Sequence, residues 1–185
     1  MVSNKTSTQH YKIISTVEAS LCIRESVETS SAGLFITPVG SLYVSETMEK
    51  ENALFGGEPC GEYIFRDGLP VPDGILTAVK FVEIFCKHGK LSELKKRYKT
   101  YPMIREKFKC DNSKKYEIVK KIAKEIKLTG KRNEDDGLRI DEQNGWFLIR
   151  ASGTEPYVRL TAEYKNTEML DKRAEELREI IKKNL

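Results

Sequence analysis

Apolar and polar residues follow two different rhythms along the 185 residues. In the first half, short apolar runs alternate with helix-spaced stretches. Residues 11–16 read as a short strand. Val17, Leu21, Ile23 and Val27, with glutamates between them, fit a helix over 17–28. Residues 34–37 read as a second strand, and Gly33 before it fits a helix C-cap and turn. Pro38-Val39-Gly40 is a loop. Leu42, Val44, Thr47 and Met48 predict a helix up to Lys50, and residues 53–55 a third strand that ends at Gly56-Gly57. Strand, helix, strand, helix, strand is the order of a parallel α/β unit. Asp73 is a natural N-cap for an apolar helix from Ile75 to Cys86, which His88-Gly89 ends. A short helix over 91–97 follows. Residues 1–10 are polar and read as frayed.

The second half is organised differently. Residues 95–102 are basic and end in Pro102, which marks a linker. Residues 103–109 read as a strand. Ile118, Val119, Ile122, Ala123 and Ile126 form one helical stripe within 114–127. Three strands are predicted over 138–141, 146–150 and 157–164, the first two joined by the turn residues Gln143-Asn144-Gly145. In the third, Val158, Leu160 and Ala162 alternate with Arg159, Thr161 and Glu163, which predicts one buried and one open face. Leu170, Ala174, Leu177 and Ile181 mark a final helix. The expected fold is α/β plus α+β. A parallel-sheet α/β domain over 1–96 is followed by a small antiparallel-sheet domain over 97–185, in β-α-β-β-β-α order.

Composition narrows the function classes. Hydrophobic residues make up 39% and charged residues 32%, which excludes a mainly disordered chain. No apolar run approaches the roughly 20 residues that span a bilayer, and the first residues do not resemble a signal peptide. Membrane association is not expected. Cys22, Cys60, Cys86 and Cys110 form no CxxC pair, so neither a zinc site nor a disulfide framework is expected and a reducing cytoplasm is the default. The net charge of +4 is uneven: residues 1–96 hold 10 basic and 12 acidic side chains, and residues 97–185 hold 22 and 16. A basic second half could serve nucleic acid or phosphorylated ligands. Most of its lysines, such as Lys120, Lys121 and Lys124 beside Glu125, read instead as a solvated helix face. No aromatic-basic RNP motif is present, which argues against nucleic acid.

Two segments carry chemistry. Gly56-Gly57-Glu58-Pro59-Cys60-Gly61 follows the third strand, where ligands meet parallel sheets. A carboxylate there can accept from two adjacent sugar hydroxyls. Taken alone, the segment also fits a tight turn with a solvated Glu58 and a bland Cys60. The second segment, Arg150-Ala151-Ser152-Gly153-Thr154-Glu155-Pro156, lies between two strands, with Arg159 beyond it. Arginine offers a planar fork to phosphate oxygens. Ser152 and Thr154 add hydroxyls, and Gly153 exposes backbone N–H groups. The bland alternative is a loop whose arginine pairs with Glu155 or Glu163. No Walker loop is present.

Together these segments resemble the α-D-phosphohexomutase superfamily. Phe55 to Gly61 is similar to its G-E-x-S-G sugar loop, and Asp73-Gly74-Ile75 to the D-G-I that opens the next helix. Arg150 to Pro156 is similar to its R-x-S-G-T-E-P phosphate loop, Asp136-Gly137-Leu138 also matches, and Pro38-Val39-Gly40 resembles its P-V-G turn. The resemblance implies that residues 1–96 form part of the third of four domains, and 97–185 the fourth. It implies phosphoryl transfer between C1 and C6 of a hexose phosphate through a phosphoserine, with Mg2+ at the phosphate. Glu58 and Cys60 would then meet the sugar. Arg150, Ser152, Gly153, Thr154 and Arg159 would grip the phosphate that is not reacting. The family's nucleophile loop T-A-S-H-N-P and metal loop D-G-D-x-D-R are absent from this sequence, so an N-terminal mutase half is the implied partner and the chain alone is expected to be inactive. Cys60 stands where Ser is usual, Glu62 where many members have His, and Ser41 where many have Asp or His. A phosphosugar-binding or regulatory module without catalysis is the alternative.

Overall fold

The computed structural model describes residues 11–127 and 130–185. The expectation for residues 1–10 lies outside the described residues. By its contacts the chain forms two compact units. The first runs to Ala19 and resumes over Ile23–Lys95; the second gathers Ser20–Cys22 with Lys96–Leu185.

In the first unit, β1 (Lys12–Thr16) pairs in parallel with β2 (Gly33–Thr37) and β3 (Phe55–Gly57). The sheet order is β2-β1-β3-β4, and β4 (Tyr63–Phe65) is antiparallel to β3. This short edge strand was not visible in the pattern, and it makes the sheet mixed. Helices α1 (Leu21–Thr29) and α2 (Ser41–Glu51) are the expected crossovers. The left-handed residue after α1 is Ser31, at φ 56°, so Gly33 does not cap the helix but opens β2. Asn52 ends α2 in the left-handed conformation, and its N–H donates to Glu49 O and Met48 O. Ala53 N–H then donates to Met48 O at 2.9 Å and Leu54 N–H to Lys12 O at 3.0 Å. This cap holds residues 53 and 54 outside the strand, which is why β3 starts two residues later than predicted. Gly56 allows close packing of α2: a Cβ there would meet Met48 Sδ and Val44 Cγ1 at 2.5 Å.

The core of this unit is small: Ile14, Val44, Met48, Ala53 and Ile64, with Phe35 against it. Helix α3 (Gly74–His88) is capped by Asp73, whose Oδ1 accepts Leu76 N–H at 2.8 Å, and closed by Gly89 at φ 84°. It buries none of its residues. Ile75, Val79 and Val82 are 82%, 57% and 61% exposed. Helix α4 (Leu91–Lys95) follows.

The second unit is a five-stranded antiparallel sheet in the order β5-β9-β8-β7-β6. Its strands are β5 (Met103–Lys109), β6 (Lys131–Asn133), β7 (Leu138–Glu142), β8 (Gly145–Ala151) and β9 (Tyr157–Tyr164). The expected order gains one short strand, β6. Helices α5 (Lys115–Glu125) and α6 (Thr167–Asn184) bury Ile118, Ile122, Leu177 and Ile181 in a core shared with Leu138, Phe147, Ile149 and Leu160. The face of β9 expected to be open is not. Thr161 and Glu163 are buried. The reason is a polar cluster on that side. Trp146 Nε1 donates to Glu163 at 2.6 Å, and the Arg139 guanidinium stacks 3.8 Å above the Trp146 ring while donating to Asp141. Paired and stacked, these polar groups tolerate burial.

Candidate functional site

Each unit carries one of the expected segments. In the first, Glu58 follows β3 directly and is only 6% exposed. Gly40 N–H, from the loop before α2, donates to Glu58 Oε2 at 3.3 Å. Glu58 N–H donates to Glu62 O at 2.9 Å, and Gly61 N–H to Glu58 O at 3.0 Å. The residue is therefore a buried carboxylate held by two loops, and the reading of a solvated turn residue fails. A carboxylate held beyond the carboxyl ends of parallel strands is a hydroxyl acceptor in waiting. Cys60, at the tip of the same turn, is an exposed free thiol.

In the second unit, β8 delivers Arg150 and β9 returns with Arg159. Arg150 Nη1 donates to Asp136 Oδ2 at 3.0 Å. The pair is half-screened from solvent, with 13% and 24% of the side chains exposed. Asp136 is placed by Gly137, which sits at φ 89°. A Cβ there would meet Ile149 O at 2.4 Å and Arg150 Cβ at 2.6 Å. Only glycine lets this turn lie against the backbone of Arg150.

The loop between β8 and β9 is braced from behind. Ser152 is buried, its N–H donates to Tyr157 O at 2.9 Å, and its Oγ accepts Glu155 N–H at 3.3 Å. Cys110 N–H donates to Pro156 O at 3.0 Å. Arg159 Nη2 donates to Glu155 Oε2, and Lys107 Nζ to both carboxylate oxygens of Glu155. The bonds from Lys107, and next from Arg159, hold the Glu155 carboxyl below the usual glutamate range. Gly153 and Thr154 are exposed at the tip, with open space around the place a Gly153 Cβ would fill. The arrangement offers fixed guanidinium groups and a bare backbone bend, the chemistry that receives an anion.

Three contributors escaped the sequence reading. Asp136 stood in a quoted motif without a role, and Gly40 stood in another. Lys115 lies at position i relative to Ile118, Val119 and Ile122, on the apolar stripe of α5, and is buried. A lysine in phase with a core stripe was the signal. Two surface pockets, of about 420 and 360 Å³, hold none of the expected site residues. Among the described residues, no group of three or more His, Cys, Asp or Glu side chains could hold a metal ion, and no helix is long and apolar enough to cross a membrane.

An α/β unit with a held carboxylate at its strand ends, then an antiparallel unit with a braced loop beside two arginines, defines a two-domain α/β plus α+β class. Comparison with known proteins is more specific. Residues 1–101 match the family described as Phosphoglucomutase/phosphomannomutase, alpha/beta/alpha domain III, and residues 106–180 match Phosphoglucomutase/phosphomannomutase, C-terminal domain. The chain belongs to the phosphoglucomutase/phosphomannomutase family. It is 42% identical over 162 residues to a probable phosphoglucosamine mutase of Methanothermobacter thermautotrophicus, covering 85% of this chain and 36% of that protein. It is 40% identical over 164 residues to the phosphoglucosamine mutase of Methanococcus maripaludis, covering 87% and 37%. Little more than a third of these curated relatives' length is thus spanned. In structure it resembles a phosphoglucomutase/phosphomannomutase family protein from Burkholderia thailandensis (TM-score 0.83, 22% identity, 95% of this chain and 38% of that one). It also resembles the Aspergillus fumigatus N-acetylphosphoglucosamine mutase in complex with GlcNAc-6P and magnesium (TM-score 0.70, 16% identity, 94% and 39%).

Proposed function

We propose that this chain is the sugar- and phosphate-recognising C-terminal part of a phosphohexomutase, dividing near residue 96 into a sugar-recognition domain and a phosphate-binding domain. Its substrate is a hexose phosphate, and the relatives' names favour an aminohexose. Glu58 accepts ring hydroxyls, with Cys60 beside it. Arg150, Ser152, Gly153, Thr154 and Arg159 hold the phosphate that is not reacting while the phosphoryl group moves between C1 and C6. The observation that carries this reading is the Asp136–Arg150 pair beside an exposed, braced glycine turn. An arginine fixed before the ligand arrives loses less entropy on binding.

The nucleophile and Mg2+ come from an N-terminal mutase half, on the same polypeptide or a separate one. Two observations support that partner. The chain spans about a third of its relatives' length. Helix α3 presents Ile75, Val79, Val82 and Phe85 to solvent, a stripe too apolar to be left bare. Its four thiols are consistent with a cytoplasmic protein.

The test mixes the chain with the N-terminal segment of the Methanothermobacter relative and follows interconversion of glucosamine 6-phosphate and glucosamine 1-phosphate. Turnover is expected in the mixture and not in the chain alone. Arg150→Ala should lower kcat/KM about 100-fold, the scale of a lost charge-assisted phosphate contact. Turnover by the chain alone would overturn the partner requirement. Undiminished turnover with Arg150→Ala would overturn the phosphate role.

A further inference from the structure

Lys115 is the first residue of α5 and is 3% exposed. Its ammonium donates one hydrogen bond, to the carbonyl of Glu155 at 3.3 Å, and lies 5.3 Å from the centre of the Tyr116 ring. Among the described residues it forms no ion pair. A buried ammonium with no carboxylate beside it is costly, and its one hydrogen-bond partner shows where it acts. The carbonyl that it touches belongs to the braced loop.

The charges around that loop can be counted. Lys107 comes from β5, Lys115 from α5, Arg150 from β8 and Arg159 from β9. Against them stand Asp136 before β7 and Glu155 in the loop itself. Asp111, before α5, directs its carboxylate to the N–H and hydroxyl of Ser113. Among the side chains that bond to the loop or to one another, four are cations and two are carboxylates, an excess of positive charge to which Lys115 adds. A phosphate monoester carries about −1.5 to −2 at pH 7, with its second pKa about 6. A cation added to that site favours a dianion more than a monoanion, because the attraction scales with the ligand's charge.

We propose that Lys115 sets this loop for a dianionic phosphate, pinning the Glu155 carbonyl from behind and adding a buried positive charge to the cations around it. The proposal rests on the phosphate-loop reading above. It makes Lys115 a positioning residue, acting through the loop and through its field.

The test titrates the chain with glucose 6-phosphate and with glucose 6-sulfate, a permanent monoanion of the same shape, and follows amide resonances. The wild type should favour phosphate over sulfate, increasingly as pH rises through about 6. Lys115→Met should weaken phosphate about tenfold and sulfate no more than about threefold, flattening that pH dependence. Lys115→Arg should keep the preference. The melting temperature of Lys115→Met should match or exceed wild type, because an apolar replacement removes a buried charge. Equal weakening of both esters, or no weakening, would overturn the proposal. If Lys115→Met does not melt cooperatively, Lys115→Arg decides, and its loss of the preference would be as damaging. A wild type that binds neither ester, or an Arg150→Ala variant that binds both as well as before, would sink the phosphate-loop reading itself.

Discussion

Helices α3 and α6 have similar lengths and opposite fates. Over 18 residues, α6 is rich in Glu, Lys and Arg, yet it buries Leu170, Ala174, Leu177 and Ile181 at spacings of four, three and four. Over 15 residues, α3 has far fewer charges and buries nothing. The difference lies in the pattern. Charge on α6 leaves one apolar stripe, which the antiparallel sheet covers. Apolar residues on α3 surround most of the helix, the mark of an element meant to be covered on more than one side. The second unit thus closes its own core, and the first holds a five-residue core with an uncovered helix.

The sharpest way to break this comparison is to remove an apolar side chain from each helix. Leu177→Ala should cost about 2–5 kcal/mol in urea unfolding, since it opens a cavity in a closed core. Val79→Ala should change stability by less than about 0.5 kcal/mol. Equal costs would mean that α3 is already covered in solution. Aspartate at Ile75, Val79 and Val82 together should leave the unfolding of the second unit unchanged. In sedimentation the same variant should lose association with the N-terminal segment more than about tenfold, because three apolar contacts are exchanged for charge.

Glycine substitutions probe how hard each unit is. In the first, a Cβ on Gly56 would press on the side-chain ends of Met48 and Val44, which can shift. In the second, a Cβ on Gly137 would strike the backbone carbonyl of Ile149 from a left-handed position. Gly137→Ala should therefore cost about 2–3 kcal/mol and weaken phosphate binding by displacing Asp136 from Arg150, and Gly56→Ala about 1 kcal/mol. Gly153→Ala is the control. Nothing lies within 4 Å of its added methyl, so stability should hold and phosphate affinity alone should fall.

How legible was this in the sequence? Periodicity located α2, α3, α5 and α6 because each has a cap or an unbroken stripe: Asp73 announced α3, and Asn166 caps α6 by accepting Met169 N–H. The short strands β4 and β6 were not legible, since three residues are too few for a period and both depend on a neighbouring strand for their hydrogen bonds. The expected site residues could be named from the two motifs. Their supports could not: Gly40 lies 18 residues before Glu58, Asp136 lies 14 before Arg150, and Lys115 lies 40 before Glu155. Residue spacing carries no trace of contacts that only the folded sheets create. The buried side of β9 was misread for the same reason. Glu163 looks solvent-facing until Trp146, 17 residues away, donates to it.

The smallest expected effect is in acid, and it also separates the units. The Glu155 carboxyl is held below the glutamate range first by its bond from Lys107 and then by that from Arg159. A lowered carboxyl adds stability above its ordinary pKa and loses it as pH falls through the folded value. Glu155 is exposed to solvent screening, so the cost should be local. Between about pH 5 and 3, the amide resonances of Gly153, Thr154 and Glu155 should move together, and Glu155→Gln should abolish that movement. In the first unit, Asp67 and Glu83 are lowered mainly by single bonds from Lys80 and Lys87, on an uncovered helix. Their titration should leave the loop resonances still. If the loop responds to acid in Glu155→Gln as it does in the wild type, its brace does not run through Lys107 and Arg159, and the rigidity assigned to the second unit's site must come from Ser152 and the backbone alone.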